Sequence, residues 1–153
     1  IIFFRLSSII FGLLYVTILF YALFFKTIHF RAGMSRVNLV PFKTIVPYIT
    51  EIADKNSGPA IMNIGANIFL FIPFGFYIEV LLRKRKMKIK IMIIILIPII
   101  IELIQFVFSL GICDLDDVIL NAIGSLLGIL VLKVVEKLYC IVKKDDTERL
   151  FLI

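Results

Sequence analysis

The sequence predicts an all-α, polytopic membrane protein of four transmembrane helices, with an interfacial helix between the first and the second. Three observations carry this expectation. The chain is 61% hydrophobic and only 18% charged, whereas soluble domains are about 45–50% apolar and about 25% charged. Its apolar residues gather in runs of roughly 20, the length that crosses about 30 Å of hydrocarbon at about 1.5 Å per helical residue. Its basic residues gather too: "RKRKMKIK" places Arg83, Lys84, Arg85, Lys86, Lys88 and Lys90 between two apolar runs. A short basic loop in that position is a cytoplasmic topology signal that faces anionic lipid headgroups. The net charge of +6 is therefore assigned to the membrane, and no nucleic-acid partner is expected.

Spans are expected at about 6–25, 61–82, 91–110 and 118–135, within a single membrane domain covering 1–153. The first run is bulky throughout and lacks a small-residue cleavage site, so it reads as an uncleaved anchor. With the basic loop 83–90 in the cytoplasm, both termini and the tail 136–153 are cytoplasmic, and the loop 26–60 faces outward. Of the 17 Lys and Arg residues, 12 then lie inside and 5 outside, as the positive-inside bias requires. This is a multi-pass plasma-membrane topology.

The outer loop contains "NLVPFKTIVPYITEI"; there and in the residue that follows it, Phe42, Ile45, Val46, Ile49 and Ala53 recur at three- and four-residue steps. That spacing predicts a helix on the outer leaflet. Pro41 suits a first helical position, and Pro47 would kink or stop the segment. Cys113 and Cys140 fall near opposite membrane surfaces and do not pair. His29 stands alone, no metal-ligand spacing exists, and no cofactor is expected.

Polar residues inside the spans are the informative ones, because such groups face a bundle interior or a cavity. Asn63 and Asn67 share a face of the second span, and Glu102 and Gln105 a face of the third. Asn121 lies in the fourth, below Asp114, Asp116 and Asp117 at its mouth. At the helical rise of about 1.5 Å, Asn67 sits about 9 Å, Asn121 about 6 Å, Gln105 about 8 Å and Glu102 about 12 Å below the outer edge. At about 100° per residue, Asp117, Asn121, Gly124 and Gly128 fall at about 0°, 40°, −20° and 20°, on one stripe. The lower part, Gly124-x-x-x-Gly128, permits close helix approach. Pro73 and Gly75 loosen the second span, and Pro98 the third. Glu79, beside the basic loop, is expected to pair with it.

Four stretches together resemble the VanZ-like family: "RVNLVPF" at 36–42, "NIFLFIPFGF" at 67–76, "ELIQ" at 102–105 and "CDLDDVILNAIGSLLG" at 113–128. The resemblance implies a Gram-positive cell-envelope membrane protein with a role in resistance to lipophilic glycopeptide antibiotics, teicoplanin being the type case. The positions it carries over are Asn38, Asn67, Pro73, Gly75, Glu102, Gln105, Asp114, Asp116, Asp117, Asn121 and Gly124.

Two functions fit these residues. In the first, an outer-leaflet site of Arg36, Asn38, Asn67, Glu102, Gln105, Asp114, Asp117 and Asn121 binds a lipoglycopeptide antibiotic or a lipid-linked cell-wall precursor; Arg36 and Lys43 meet its phosphate or carboxylate. In the second, the chain is a membrane enzyme that modifies an envelope lipid or polymer. Glu102 is then the acid or base, with Asp116 or Asp117 as its partner or as a divalent-metal ligand.

Overall fold

A computed structural model describes residues 2–24, 37–53, 58–108, 110 and 112–150. Five helices dominate it: α1 (Ile2–Phe24), α2 (Ile45–Ala53), α3 (Gly58–Leu81), α4 (Met87–Val107) and α5 (Leu115–Leu150). Two strands of two residues each, β1 (Val37–Asn38) and β2 (Cys113–Asp114), pair in parallel, with Val37 opposite Cys113 and Asn38 opposite Asp114. Among the described residues, three helical stretches are long and apolar enough to cross a membrane: Ala60–Leu81, Met87–Val107 and Leu115–Lys143. In α1 the described apolar stretch, Ile10–Leu23, is shorter.

Isoleucine-rich runs become helices here because a backbone in hydrocarbon must satisfy its own N–H and C=O groups. α3 turns into α4 through 82–86, closed by Leu82 N–H to Ile78 O and Arg85 N–H to Leu82 O. At the far end of α4, the Leu110 N–H closes on Gln105 O before β2 begins. α5 opens with Asp116 and Asp117 in its first turn, where carboxylates favour the helix dipole.

Packing centres on α3 against α5, and three glycines set its distance. A Cβ at Gly75 would stand 1.7 Å from Ser125 O, at Gly124 2.2 Å from Ile68 O, and at Gly128 2.0 Å from Ile72 O. Backbone therefore lies on backbone, and Gly75 serves approach more than the helix flexibility its sequence context suggests. Pro73 and Pro98 both sit inside unbroken helices. α1 leans on α3 through Tyr15, whose ring stacks on Tyr77 with centroids 6.1 Å apart and whose hydroxyl donates to Leu70 O at 3.0 Å.

Away from the acidic end, the Lys90 ammonium donates to Glu79 at 2.7 Å, and both side chains are buried. Arg83 meets Glu136 at 2.9 Å on the surface. Glu79 thus pairs with the basic loop as expected. Part of that loop is helical, since α4 begins at Met87; the buried ion pair holds Lys90 inside the helix. α5 continues without a break to Leu150, through most of the expected tail.

The outer segment differs most. Helix α2 starts at Ile45, not at Pro41, because residues 41–44 form a turn in which Phe42 takes a left-handed φ of 64°. Pro47 neither stops nor breaks α2: it lies in the first turn, where a missing N–H has no helical partner to lose. Ile45 faces inward, whereas Val46 and Ile49 are 54% and 55% exposed. The expected single apolar stripe is split, and the helix is apolar on both sides.

Substituting Gly75 or Gly124 by leucine is expected to destabilise the chain by on the order of 2–3 kcal/mol, since the displaced atoms are backbone and cannot rotate away. Gly65→Ala, whose Cβ meets only Phe69 at 3.9 Å, should leave the melting temperature in detergent unchanged or higher. Equal melting temperatures for all three variants would refute this account of α3–α5 packing.

Candidate functional site

The acidic run at the start of α5 ties three separate elements to one helix end. Asp116, 0% exposed, turns its carboxylate to the segment that leads into α2. Its Oδ1 accepts from the Phe42 N–H at 2.6 Å, and its Oδ2 from the Thr44 and Ile45 N–H groups at 2.7 and 3.0 Å. These donors belong to the turn and the first helical residue, whose N–H groups have no intrahelical partner. Asp116 thus caps a helix remote from it in sequence, and the left-handed Phe42 aims its N–H at the same group.

Asp114 holds the neighbouring side chains. Its Oδ1 accepts from Asn38 Nδ2 at 3.0 Å and from the Asp116 N–H at 2.9 Å, and its Oδ2 accepts from the Thr44 hydroxyl at 2.6 Å. Asn38 also donates to Thr44 Oγ1 at 3.2 Å. The Asp114 N–H in turn donates to Glu102 Oε2 at 3.1 Å, which joins α4 to the cluster. Asp117 reaches α3, where Asn67 Nδ2 donates to its Oδ1 at 2.6 Å. Glu102 and Asp117 lie close enough to interact electrostatically.

Asn121, one turn beyond Asp117, is 2% exposed and its Oδ1 has no donor. Its backbone carbonyl accepts from the Ser125 hydroxyl at 2.8 Å. Asn38 Oδ1 is likewise buried without a donor. Gln105 is buried and points to α1, donating to Leu23 O at 2.6 Å. Asn63 sits at the exposed rim and donates to the Tyr48 hydroxyl at 2.8 Å. Cys113 lies beside this cluster; burial first, then the charges of Glu102 and Asp114, push its thiol above the ordinary range. Among the described residues no three His, Cys, Asp or Glu side chains are placed to hold a metal ion.

The structure therefore brings together Asn38, Asn67, Glu102, Asp114, Asp116, Asp117 and Asn121, with Gln105 turned toward α1. Arg36 lies outside the described residues; Lys43 is exposed. The motifs that build this cluster span most of the chain, and the VanZ/LLP1 family model matches residues 10–136. The chain belongs to the VanZ/LLP1 family. It is also similar to Protein VanZ of Enterococcus faecium, with 29% identity over 121 residues that cover 76% of this chain and 67% of the relative. No solved structure matches it.

In this VanZ/LLP1 chain the groups that sequence reasoning missed are mostly backbone. The N–H groups of Phe42, Thr44 and Ile45, and the carbonyl of Leu23, carry no residue-type signal. Thr44 did carry one: a threonine just ahead of an apolar helical run is an N-cap type, and placing the helix start at Pro41 concealed it. The parallel pairing of β1 with β2 is too short to leave a periodic trace.

Replacing Asp116 by alanine leaves three N–H groups without their charged acceptor. A loss on the order of 3 kcal/mol is expected, since hydrogen bonds to a charged group each contribute about 1.5–3 kcal/mol and partial rehydration offsets some of it. Hydrogen exchange should accelerate at residues 42–53 in Asp116→Ala and stay near wild type there in Asn63→Ala. Unchanged protection at 42–53 would show that something else holds α2.

Proposed function

We propose that this chain is a membrane protein of the cell envelope that contributes to resistance to lipophilic glycopeptide antibiotics. On this reading it binds the drug, or the lipid-linked wall precursor that the drug targets, at a polar site on the outer-leaflet side. One observation carries the reading: α3, α4, α5 and the segment 37–45 direct polar groups to the same end of the bundle. That set retains buried acceptors with no donor, Asn38 Oδ1 and Asn121 Oδ1. Family membership and the similarity to Protein VanZ support the resistance role. Catalysis is not favoured. Asp116, one of its three candidate residues, has both oxygens engaged by backbone N–H groups of the α2 turn.

The topology proposed with it has α1 as a fourth span and residues 1–153 as one membrane domain. Both termini are cytoplasmic and α2 lies in the outer leaflet. Leu39, Val40, Phe42, Val46 and Ile49 are each exposed on or just before α2, as expected of apolar side chains that enter the headgroup–acyl boundary. The basic turn 82–86 and the Arg83–Glu136 pair mark the cytoplasmic side.

Two measurements test this. Purified chain in lipid nanodiscs should bind teicoplanin or a lipid-linked precursor saturably, and Asp117→Asn should weaken that binding tenfold or more. Absence of saturable binding of either compound rejects the site, and a chemical change in envelope lipids that depends on Glu102 would favour catalysis instead. For topology, a membrane-impermeant maleimide applied to intact cells should label Cys113 and spare Cys140. The raised thiol pKa leaves little Cys113 thiolate at neutral pH, so labelling should be slow there and quicken as pH rises. Labelling of Cys140 alone would invert the orientation.

A further inference from the structure

The acidic end is built of acceptors, and this bears on what kind of ligand it takes. Glu102, Asp114, Asp116 and Asp117 bring four carboxyl groups to one end of the bundle. The ion pairs among the described residues, Arg83–Glu136 and Lys90–Glu79, lie at the other end. Asp114 and Asp116 each accept three hydrogen bonds from the chain itself. Among the described residues, Glu102 and Asp117 each accept one, from the Asp114 N–H and from Asn67. Asn121 follows Asp117 by one turn on the same face, deeply buried, and its Oδ1 is unpartnered. A buried carbonyl oxygen without a donor bears an uncompensated desolvation penalty. Two under-used carboxyls and this oxygen have room for further hydrogen-bond donors, and a cation beside the carboxyls would hold them as carboxylates.

We propose that the site recognises a primary ammonium group, with Glu102 and Asp117 supplying the charge and Asn121 Oδ1 accepting a third N–H. This rests on reading the acidic end as a ligand site, and it names the chemistry that site selects. An ammonium carries three donors and no acceptor, which complements three acceptors supplied by two helices. A hard divalent cation takes six to eight oxygens, or an octahedral shell, and the described acids do not converge in that way. A phosphate or carboxylate headgroup would bring acceptors and negative charge to a site already made of acceptors. The amine belongs either to a membrane lipid headgroup or to an amphiphile that arrives from outside.

The full chain in dodecyl maltoside micelles can be titrated by calorimetry with decylammonium, its neutral N-acetyl analogue and decyl phosphate. Decylammonium should bind saturably, and each of the other two at least tenfold more weakly. Glu102→Gln and Asp117→Asn should each weaken decylammonium tenfold or more, while Glu51→Gln, an exposed acid on α2, should not. The three-probe comparison is made on the wild-type chain and so holds even if a variant misfolds. Equal binding of the N-acetyl analogue, or tighter binding of decyl phosphate, overturns the amine and leaves the ligand site standing. No saturable binding of any probe, of teicoplanin or of the precursor removes both. Where decylammonium binds, competition by phosphatidylethanolamine but not phosphatidylcholine supports a lipid amine, and displacement by water-soluble butylammonium alone supports an external one.

Discussion

The structure depends on one buried carboxylate. Asp116 gathers three N–H groups from a segment more than seventy residues away, and without it those donors lose their acceptor. Its anionic oxygens gain charge-assisted bonds, stronger than neutral ones, and the donors are those a helix start leaves unsatisfied. The same contact fixes where α2 lies against the bundle and therefore where Asn38 and Thr44 meet Asp114. A stretch that would otherwise be a loop becomes the roof over the ends of α3, α4 and α5.

The three aspartates of "CDLDD" are thus not redundant N-caps of α5. Asp114 holds side chains of the outer segment, Asp116 its backbone and Asp117 the amide of α3. One short acidic run links the outer segment, α3 and, through the Asp114 N–H, α4. This explains why so polar a stretch is placed at the mouth of an apolar helix: its carboxylates take donors from two distant parts of the chain, Asp114 and Asp116 from the outer segment and Asp117 from α3. The imbalance lies further in, where Asn121 and the free capacity of Glu102 and Asp117 have no such match.

Much of this was legible in the sequence, for physical reasons that differ by element. Runs of isoleucine and leucine near 20 residues (about 30 Å of helix) announced α3, α4 and the upper part of α5. Depth counting placed Asn67, Glu102 and Asn121 at one end, since helical rise is fixed regardless of tertiary contacts. The stripe of Gly124 and Gly128 foretold close approach, though Gly75 as its counterpart on α3 could not be separated from a flexible position by spacing alone. What the sequence could not show was hydrogen bonding to main chain. The start of α2 was misplaced because it is decided by Asp116, far along the chain, and Pro41 looked locally sufficient.

The glycine contacts also constrain movement. With carbonyls of one helix seated where side chains of the other would be, α3 and α5 interlock like adjacent teeth and have no clearance to slide or turn. Relative movement between these two helices is closed off, so any rearrangement at the polar end falls to the elements tied there by hydrogen bonds, α2 through Asp116 and α4 through Glu102.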